Sequence, residues 1–307
     1  MRTTQLGQLE VSVIGLGCNN FGRNLDLEQS KQIVHAALEA GITYFDTART
    51  YGEGRSESFL AAGLGRHRDE VVIATKFGRI PRLRDIAGAG REDVRRTVEE
   101  SLAALGTDYI DLYQLHFPDP DVPITETLGV LSELVAEGKV REIGCANFGA
   151  SQLEEALDAS DANGWPRFVS NQVHYSLIHR HPEEDGLVDL CLTRDVTLLP
   201  YYPLGSGLLT GKVRRGEQPT GRLAGERYKR FLTDENFDIA ERVEAFAASR
   251  QLTPSQVALA WLLNRPGVRT VTPGATRPEH VVVNASAADW EPTPDDIEAL
   301  DRLAAEG

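Results

Sequence analysis

The chain has 307 residues and a mass of 33.7 kDa, is 41% hydrophobic and 25% charged, and sets 46 Asp and Glu against 32 Lys and Arg for a formal charge of −14. That balance excludes extended contact with nucleic acid or an anionic membrane surface, because the phosphates would meet a repelling field. No uncharged apolar run approaches the roughly 20 residues of a membrane helix, and the opening segment MRTTQLGQLEVSVIG lacks the apolar core of a signal peptide, so a cytoplasmic globular protein is expected.

In chain order, a hairpin is expected over residues 2–12, followed by short β-rich runs at VIGL (13–16), YFDT (44–47), VVIAT (71–75) and IDLYQL (110–115). Four more follow at VREIGC (140–145), FVSNQV (168–173), TLLPY (197–201) and VRTVT (268–272). Several are nearly continuous apolar runs, as parallel strands covered on both faces require. Between them lie stripes of helical period, such as Val94, Val98, Leu102 and Leu105, or Ile124, Leu128, Leu131 and Leu134/Val135. Gly41, Gly106 and Gly138 stand where helices should stop. Eight strand–helix units recurring about every 30 residues fit a (β/α)8 barrel of about 250 residues. The intervals 76–109 and 202–267 are longer and read as extended loops over the strand ends, and a final helix is expected at 295–305. The whole chain, 1–307, reads as a single α/β barrel domain; a doubly wound open sheet permits the same alternation.

Two glycine-rich motifs are near misses. In GLGCNNFG (15–22) the third glycine of a dinucleotide fingerprint falls two positions late, with Asn20 in its place. In GSGLLTGK (205–212) Ser206 replaces the first glycine of a phosphate loop and Val213 replaces the hydroxyl that would follow the lysine. His174, His179 and His181 beside Glu183, Glu184 and Asp185 match no zinc spacing, and HRHPEE reads instead as a helix start where acids suit the dipole. Cys18, Cys145 and Cys191 are scattered and unpaired in pattern, so no disulfide framework and no metal site are expected.

What survives is a set of polar residues at successive strand ends: Asp46 and Tyr51 in FDTARTYG, Lys76 in TKFG, and His116 in LYQLHFPD. Asn147, Asn171 and Gln172 follow at the fifth and sixth ends. In a closed barrel these ends converge on one face. A free phenol has a pKa of about 10. A lysine ammonium about 4 Å away favours the phenolate by roughly 4 kcal/mol at an effective dielectric of 20. Desolvation opposes this, so that figure is an upper bound. An ionised Asp46 would keep Lys76 charged, and His116 would orient a carbonyl oxygen. The set suits carbonyl reduction, with Tyr51 as general acid and a cofactor supplying hydride.

These residues resemble the aldo-keto reductase family over nearly the whole chain, through FDTARTYG, IATKFG, DLYQLHFPD, ELVAEGKVREIGCANF, NQVHYSL, YYPLGSGLLTGK and TPGATRPEHVVVN. The resemblance implies a TIM barrel and metal-free, reversible reduction of a small-molecule aldehyde or ketone, usually with NADPH. It places the catalytic tetrad on Asp46, Tyr51, Lys76 and His116. It implies a carboxamide held by Asn147 and Gln172, Tyr201 stacked on the nicotinamide, and backbone from Tyr202 through Pro203, Leu204 and Ser206 to Gly207 along the pyrophosphate. Gly274, Ala275, Thr276 and Arg277 correspond to the segment around the adenosine 2′-phosphate, with Asn284 at the adenine. Gly17, Cys18 and Asn19 at the first strand end, with Lys212 and His280, complete the expected cofactor contacts. Lys212, Arg222 and Arg277 offer positive charge there, and the loops at 77–90 and 202–235 would shape the substrate pocket, the second as a lid.

Departures from the family pattern are Ala146 for a serine, Phe117 for a tryptophan, a large Tyr202, and His280 and Val283 for polar residues at the adenosine end. They leave NADH as a possible cofactor beside NADPH. Arg49 would either attract an acidic substrate group or point to solvent, and Cys18 either lines the site or lies in the core. Two rival readings are a nicotinamide-binding, redox-sensing regulatory subunit of the same fold and a metal-dependent barrel isomerase or hydrolase. No oligomeric state follows from the sequence.

Overall fold

The computed structural model describes residues 1–80, 87–219 and 221–305. Residues 81–86 of the expected 77–90 loop and residue 220 of the 202–235 loop lie outside the described residues. Strands β1 (Thr3–Leu6) and β2 (Leu9–Ser12) pair antiparallel as the expected hairpin. Then β3 (Leu16–Gly17), β4 (Tyr44–Asp46), β5 (Val72–Phe77), β6 (Ile110–Leu115), β7 (Val140–Ala146), β8 (Phe168–His174) and β9 (Thr197–Tyr201) form a seven-stranded parallel sheet in sequence order. The helices are α1 (Leu27–Glu39), α2 (Ser56–Leu64), α3 (Arg91–Leu105), α4 (Ile124–Ala136), α5 (Ala150–Asn163), α6 (Leu187–Thr193), α7 (Asp234–Ser249), α8 (Pro254–Leu263), α9 (Pro278–Ala285) and α10 (Pro294–Ala305). This is the expected TIM-barrel architecture of the α/β class.

The expected eighth strand is present as a closing segment with single bridges: Val268 meets Leu198, Val271 meets Ile14, and Gly274 meets Gly17. The amides of Gly15 and Gly17 bond to the carbonyls of Val271 and Pro273 at 2.8 and 3.1 Å, and the Leu198 amide bonds to Gly267 at 2.8 Å. The ladder stays broken because Pro273 has no N–H to donate. Backbones approach closely here: a Cβ on Gly17 would stand 2.9 Å from the Thr272 carbonyl oxygen.

Two expectations are corrected. The interval 202–267 is a loop only to about residue 232. It then folds into α7, capped by the Thr233 side chain on the Asn236 amide, and α8, which opens with a Thr253–Gln256 capping box ahead of Pro254. HRHPEE does not open a helix. His181–Glu183 makes a 3₁₀ turn, and Gly186, at φ 78°, resets the chain before α6 begins at Leu187.

The hairpin closes one end of the barrel. Leu6, Leu9 and Val11 pack on Tyr44, Val72, Ala74, Leu112 and Leu199, and the Gln8 amide bonds to Glu142 at 2.7 Å. Chemistry is thereby confined to the opposite end, where the strands finish. Leu6 is fully buried, so Leu6→Ala is expected to lower stability by about 2–5 kcal/mol. Denaturant unfolding would show a shifted midpoint with an unchanged slope.

Candidate active site

Alternation along the strands turns Asp46, Lys76, Gln114 and Gln172 into the barrel; Lys76 lies opposite Gln114, and Asp46 lies opposite Ala74, two residues before Lys76. The Lys76 ammonium, 1% exposed, binds Asp46 Oδ1 and Oδ2 at 2.7 and 2.8 Å and the Thr47 carbonyl at 2.8 Å. Gln172 Nε2 donates to Asp46 Oδ1 at 2.9 Å, and Gln114 Nε2 approaches the same oxygen at 3.5 Å. Burial works against the charge on Lys76, yet Asp46 and Tyr51 outweigh it and hold the ammonium above its ordinary pKa.

Tyr51 comes from the loop after β4, in a short turn over Tyr51–Gly54 where Gly52 and Glu53 take left-handed backbone. Gly52 is obligatory: a Cβ there would stand 2.1 Å from the Phe21 carbonyl oxygen. The turn sets the Tyr51 ring centre 5.1 Å from Lys76 Nζ and edge-on to His116 at 6.0 Å. The four expected catalytic residues are therefore together. Burial raises the Tyr51 phenol, and Lys76 offsets only part of that rise. Burial, then the Lys76 charge, lowers His116 to about 3, so at neutral pH it is an uncharged imidazole.

Asn147, with φ 63°, donates from Nδ2 to the His116 carbonyl at 2.9 Å and accepts from the Tyr201 hydroxyl at 2.9 Å. Ala146, the small residue before it, lies opposite Gln172. Phe117 stacks on His116 at 5.3 Å. Behind Tyr201 stands a feature that the sequence reading missed. His174 stacks on Tyr201 at 5.4 Å and on His179 at 3.7 Å, and burial lowers His174 to about 3. Its signal was the two-residue spacing from Gln172, which puts both side chains on one strand face. Among the described residues no group of three or more His, Cys, Asp or Glu side chains is arranged to hold a metal ion.

The remaining expected contacts lie around the barrel mouth. Gly17 and Gly274 meet there at the closing bridge. The loop after β9 carries left-handed backbone at Tyr202 and Ser206, at φ 53° and 60°; the smaller residues of the family pattern at position 202 suit that conformation. Pro203, Leu204 and Gly207 lie in the same loop, where the Gly207 amide bonds to Leu204 at 2.9 Å. At the far end Lys212 Nζ contacts His280 Nε2 at 2.6 Å, and the His280 ring reaches Thr276 at 3.3 Å. Arg277 caps α9 close enough for its charge to act on His280, and Asn284 is buried on that helix.

Arg222, in the loop after β9, donates from Nη2 to the side-chain oxygens of Asn19 and Asn20 in the first barrel loop, both at 2.7 Å. Asn20, passed over because it broke a glycine motif, in turn donates to the Ala275 carbonyl at 2.9 Å. Cys18 resolves to the core: its thiol is buried and its pKa raised by burial, and only its backbone flanks the site through a 2.8 Å bond to Asp46. Arg49, part-exposed, pairs with Glu100 on α3 at 3.0 Å.

The aldo/keto reductase family model matches residues 13–305. A probable voltage-gated potassium channel subunit beta from Oryza sativa subsp. japonica is 30% identical, covering 99% of this chain and 96% of its own. A probable aldo-keto reductase 1 from Glycine max is 35% identical over 91% of this chain and 81% of its own. A crystal structure of a thermostable aldo-keto reductase in complex with the inhibitor epalrestat superimposes with a TM-score of 0.81, at 30% identity, covering 99% of this chain and all of that one.

The environment of the two buried imidazoles has a direct consequence. His116 and His174 should remain neutral down to about pH 4, because their pKa values fall to about 3. Nitrogen-detected NMR of the histidine rings should show these two silent from pH 5 to 8; protonation of either near pH 6.5 would contradict this burial.

Proposed function

The chain belongs to the aldo/keto reductase family, and we propose that, acting as one barrel domain, it reduces an aldehyde or ketone to an alcohol with NADPH, reversibly, through Tyr51 as general acid. One observation carries this reading: a lysine ammonium clamped on both oxygens of Asp46 and 5.1 Å from the Tyr51 ring, at the open end of the barrel.

The residues at the mouth suit a nicotinamide dinucleotide. Gly17 and Gly274 bring backbone together without side chains, Tyr201 offers a flat ring, and Gln172, whose Nε2 is bound to Asp46, can take a carboxamide N–H on its carbonyl oxygen. Arg23, Lys212, Arg222 and Arg277 make no ion pair among the described residues, although most other described basic side chains do. Unneutralised cations near the mouth of an acidic protein suit the diphosphate and 2′-phosphate. Bound there, the cofactor supplies hydride.

The protein groups do the rest. Neutral His116 donates a hydrogen bond to the carbonyl oxygen, and Tyr51 delivers the proton as that oxygen gains charge. Lys76 stabilises the resulting phenolate, and Asp46, held by Gln172, keeps Lys76 ionised in a buried site. A phenol raised by burial stays protonated through neutral pH, so reduction does not require the lowered pKa that the charge argument alone suggests.

A second reading, a redox-sensing regulatory subunit that binds nicotinamide, is supported by the potassium-channel names of several relatives. Steady-state turnover separates the two. With a reactive aldehyde, Tyr51→Phe is expected to lower kcat by about 10²–10⁴. The wild-type reduction rate should stay level through pH 9, since the active form is the protonated phenol and its pKa is raised from 10. Equal wild-type and variant rates would overturn the proton-donor role.

For the cofactor, Arg277→Ala should weaken NADPH by roughly tenfold to a hundredfold, the worth of a hydrogen bond to a charged group, and leave NADH nearly unchanged. Titration of cofactor fluorescence reads this directly.

A further inference from the structure

Arg230 stands apart from the unpaired cations proposed to hold the cofactor. Lys212 and Arg277 gather around His280, and Arg222 is bonded to Asn19 and Asn20. Arg230 makes no hydrogen bond or ion pair among the described residues, and its side chain is exposed. Its guanidinium sits 5.1 Å over the Phe231 ring. Phe231 meets His174 edge-on at 5.6 Å and Tyr202 at 5.7 Å, and His174 lies parallel to Tyr201. Arg230 is near enough for its charge to act on Tyr201, His174 and His179. The cation thus stands at the rim of an aromatic wall, and that wall continues to the ring on which a nicotinamide would stack. The neighbouring Lys229 pairs with Glu226 and Arg49 with Glu100, so neither serves an incoming anion.

We propose that Arg230, at the rim of the wall formed by Phe231, Tyr202 and His174, is a specificity-determining residue that binds the carboxylate of an aromatic carbonyl substrate. The inference rests on the reductase reading above. An anion approaching a protein of charge −14 is repelled at long range, so affinity for it must be local. A guanidinium fork takes a carboxylate in two parallel hydrogen bonds, which an ammonium cannot match. Tyr202, the part-exposed ring of this wall, can meet an aryl ring in offset or edge-on geometry.

The test compares para-carboxybenzaldehyde with its neutral methyl ester, each reduced with NADPH by the wild type, Arg230→Gln and Arg230→Lys. Wild type should favour the carboxylate in kcat/KM by about twofold to fivefold, the range of an exposed charge pair. Added salt should shrink that preference. Arg230→Gln should abolish it while leaving the ester rate and the NADPH dissociation constant unchanged, and Arg230→Lys should restore part of it.

A calorimetric arm, independent of turnover, measures para-(hydroxymethyl)benzoate binding to the NADP⁺-loaded protein; Arg230→Gln should weaken it by a similar factor. Equal loss on both aldehydes, no wild-type preference, or a change confined to NADPH affinity would each overturn the assignment. Failure to reduce either aldehyde, with carboxylate binding still lost in Arg230→Gln, would sink the reductase reading and leave the anion site standing.

Discussion

A buried ion pair organises this molecule's open end. Lys76 and Asp46 sit inside the barrel on neighbouring strands with almost no solvent contact. Such a pair adds little net stability, because desolvation of both charges offsets their attraction; removing one partner leaves an uncompensated buried charge at a cost of about 3–5 kcal/mol. The surroundings answer that constraint. Two glutamine amides from β6 and β8 point at Asp46, and the Thr47 carbonyl completes the shell of Lys76. Every strand that touches the pair is thereby committed to one register, since a one-residue slip would turn these groups out of the barrel.

The same low-dielectric interior shapes the neighbouring groups. It keeps His116 neutral, suited to donating a hydrogen bond from an uncharged ring. It also raises Tyr51, where a charge-only argument would lower it. Attraction by Lys76 and loss of solvent act on the phenol in opposite senses, and here loss of solvent is larger. On the proposed mechanism, the value of Lys76 lies in stabilising charge that develops during reaction more than in loosening the proton beforehand.

Charge placement follows a second rule across the molecule. Basic side chains far from the mouth are tied to carboxylates, as Arg91 is to Glu133 and Arg250 to Asp296, and they neutralise the acidic surface locally. Near the mouth, Lys212, Arg222, Arg230 and Arg277 have no acidic partner among the described residues, whereas Lys229 and Arg55 do. Arg222 and Asn20 also join the loop after β9 to the first barrel loop and to Ala275, so the segment expected as a lid is tethered by polar contacts. Hydrogen bonds of this kind can be exchanged for bonds to water or phosphate at small net cost.

Much of this was open to reading in the chain itself. Alternating apolar runs and helical stripes narrowed the fold to a barrel or a doubly wound sheet, and Asp46, Lys76 and His116 could be placed because in a barrel a residue at a strand's carboxyl end has only one face of the molecule to occupy. Local signals also marked α7 and α8, through Thr233 and the Thr253-Pro254 start, and were passed over within a long interval. Other outcomes needed the tertiary structure. Position 51 lies on a turn whose shape depends on contact between Gly52 and Phe21, thirty residues earlier in the chain. The eighth strand reduces to bridges because Pro273 meets a neighbour that the chain reaches only by closing on itself. The sense of the Tyr51 shift, the pairing of Arg49 with α3, and the isolation of Arg230 are sums over neighbours distant in sequence. Periodicity records which way a side chain points; what it then meets, and how dry that place is, exists only once the barrel has closed.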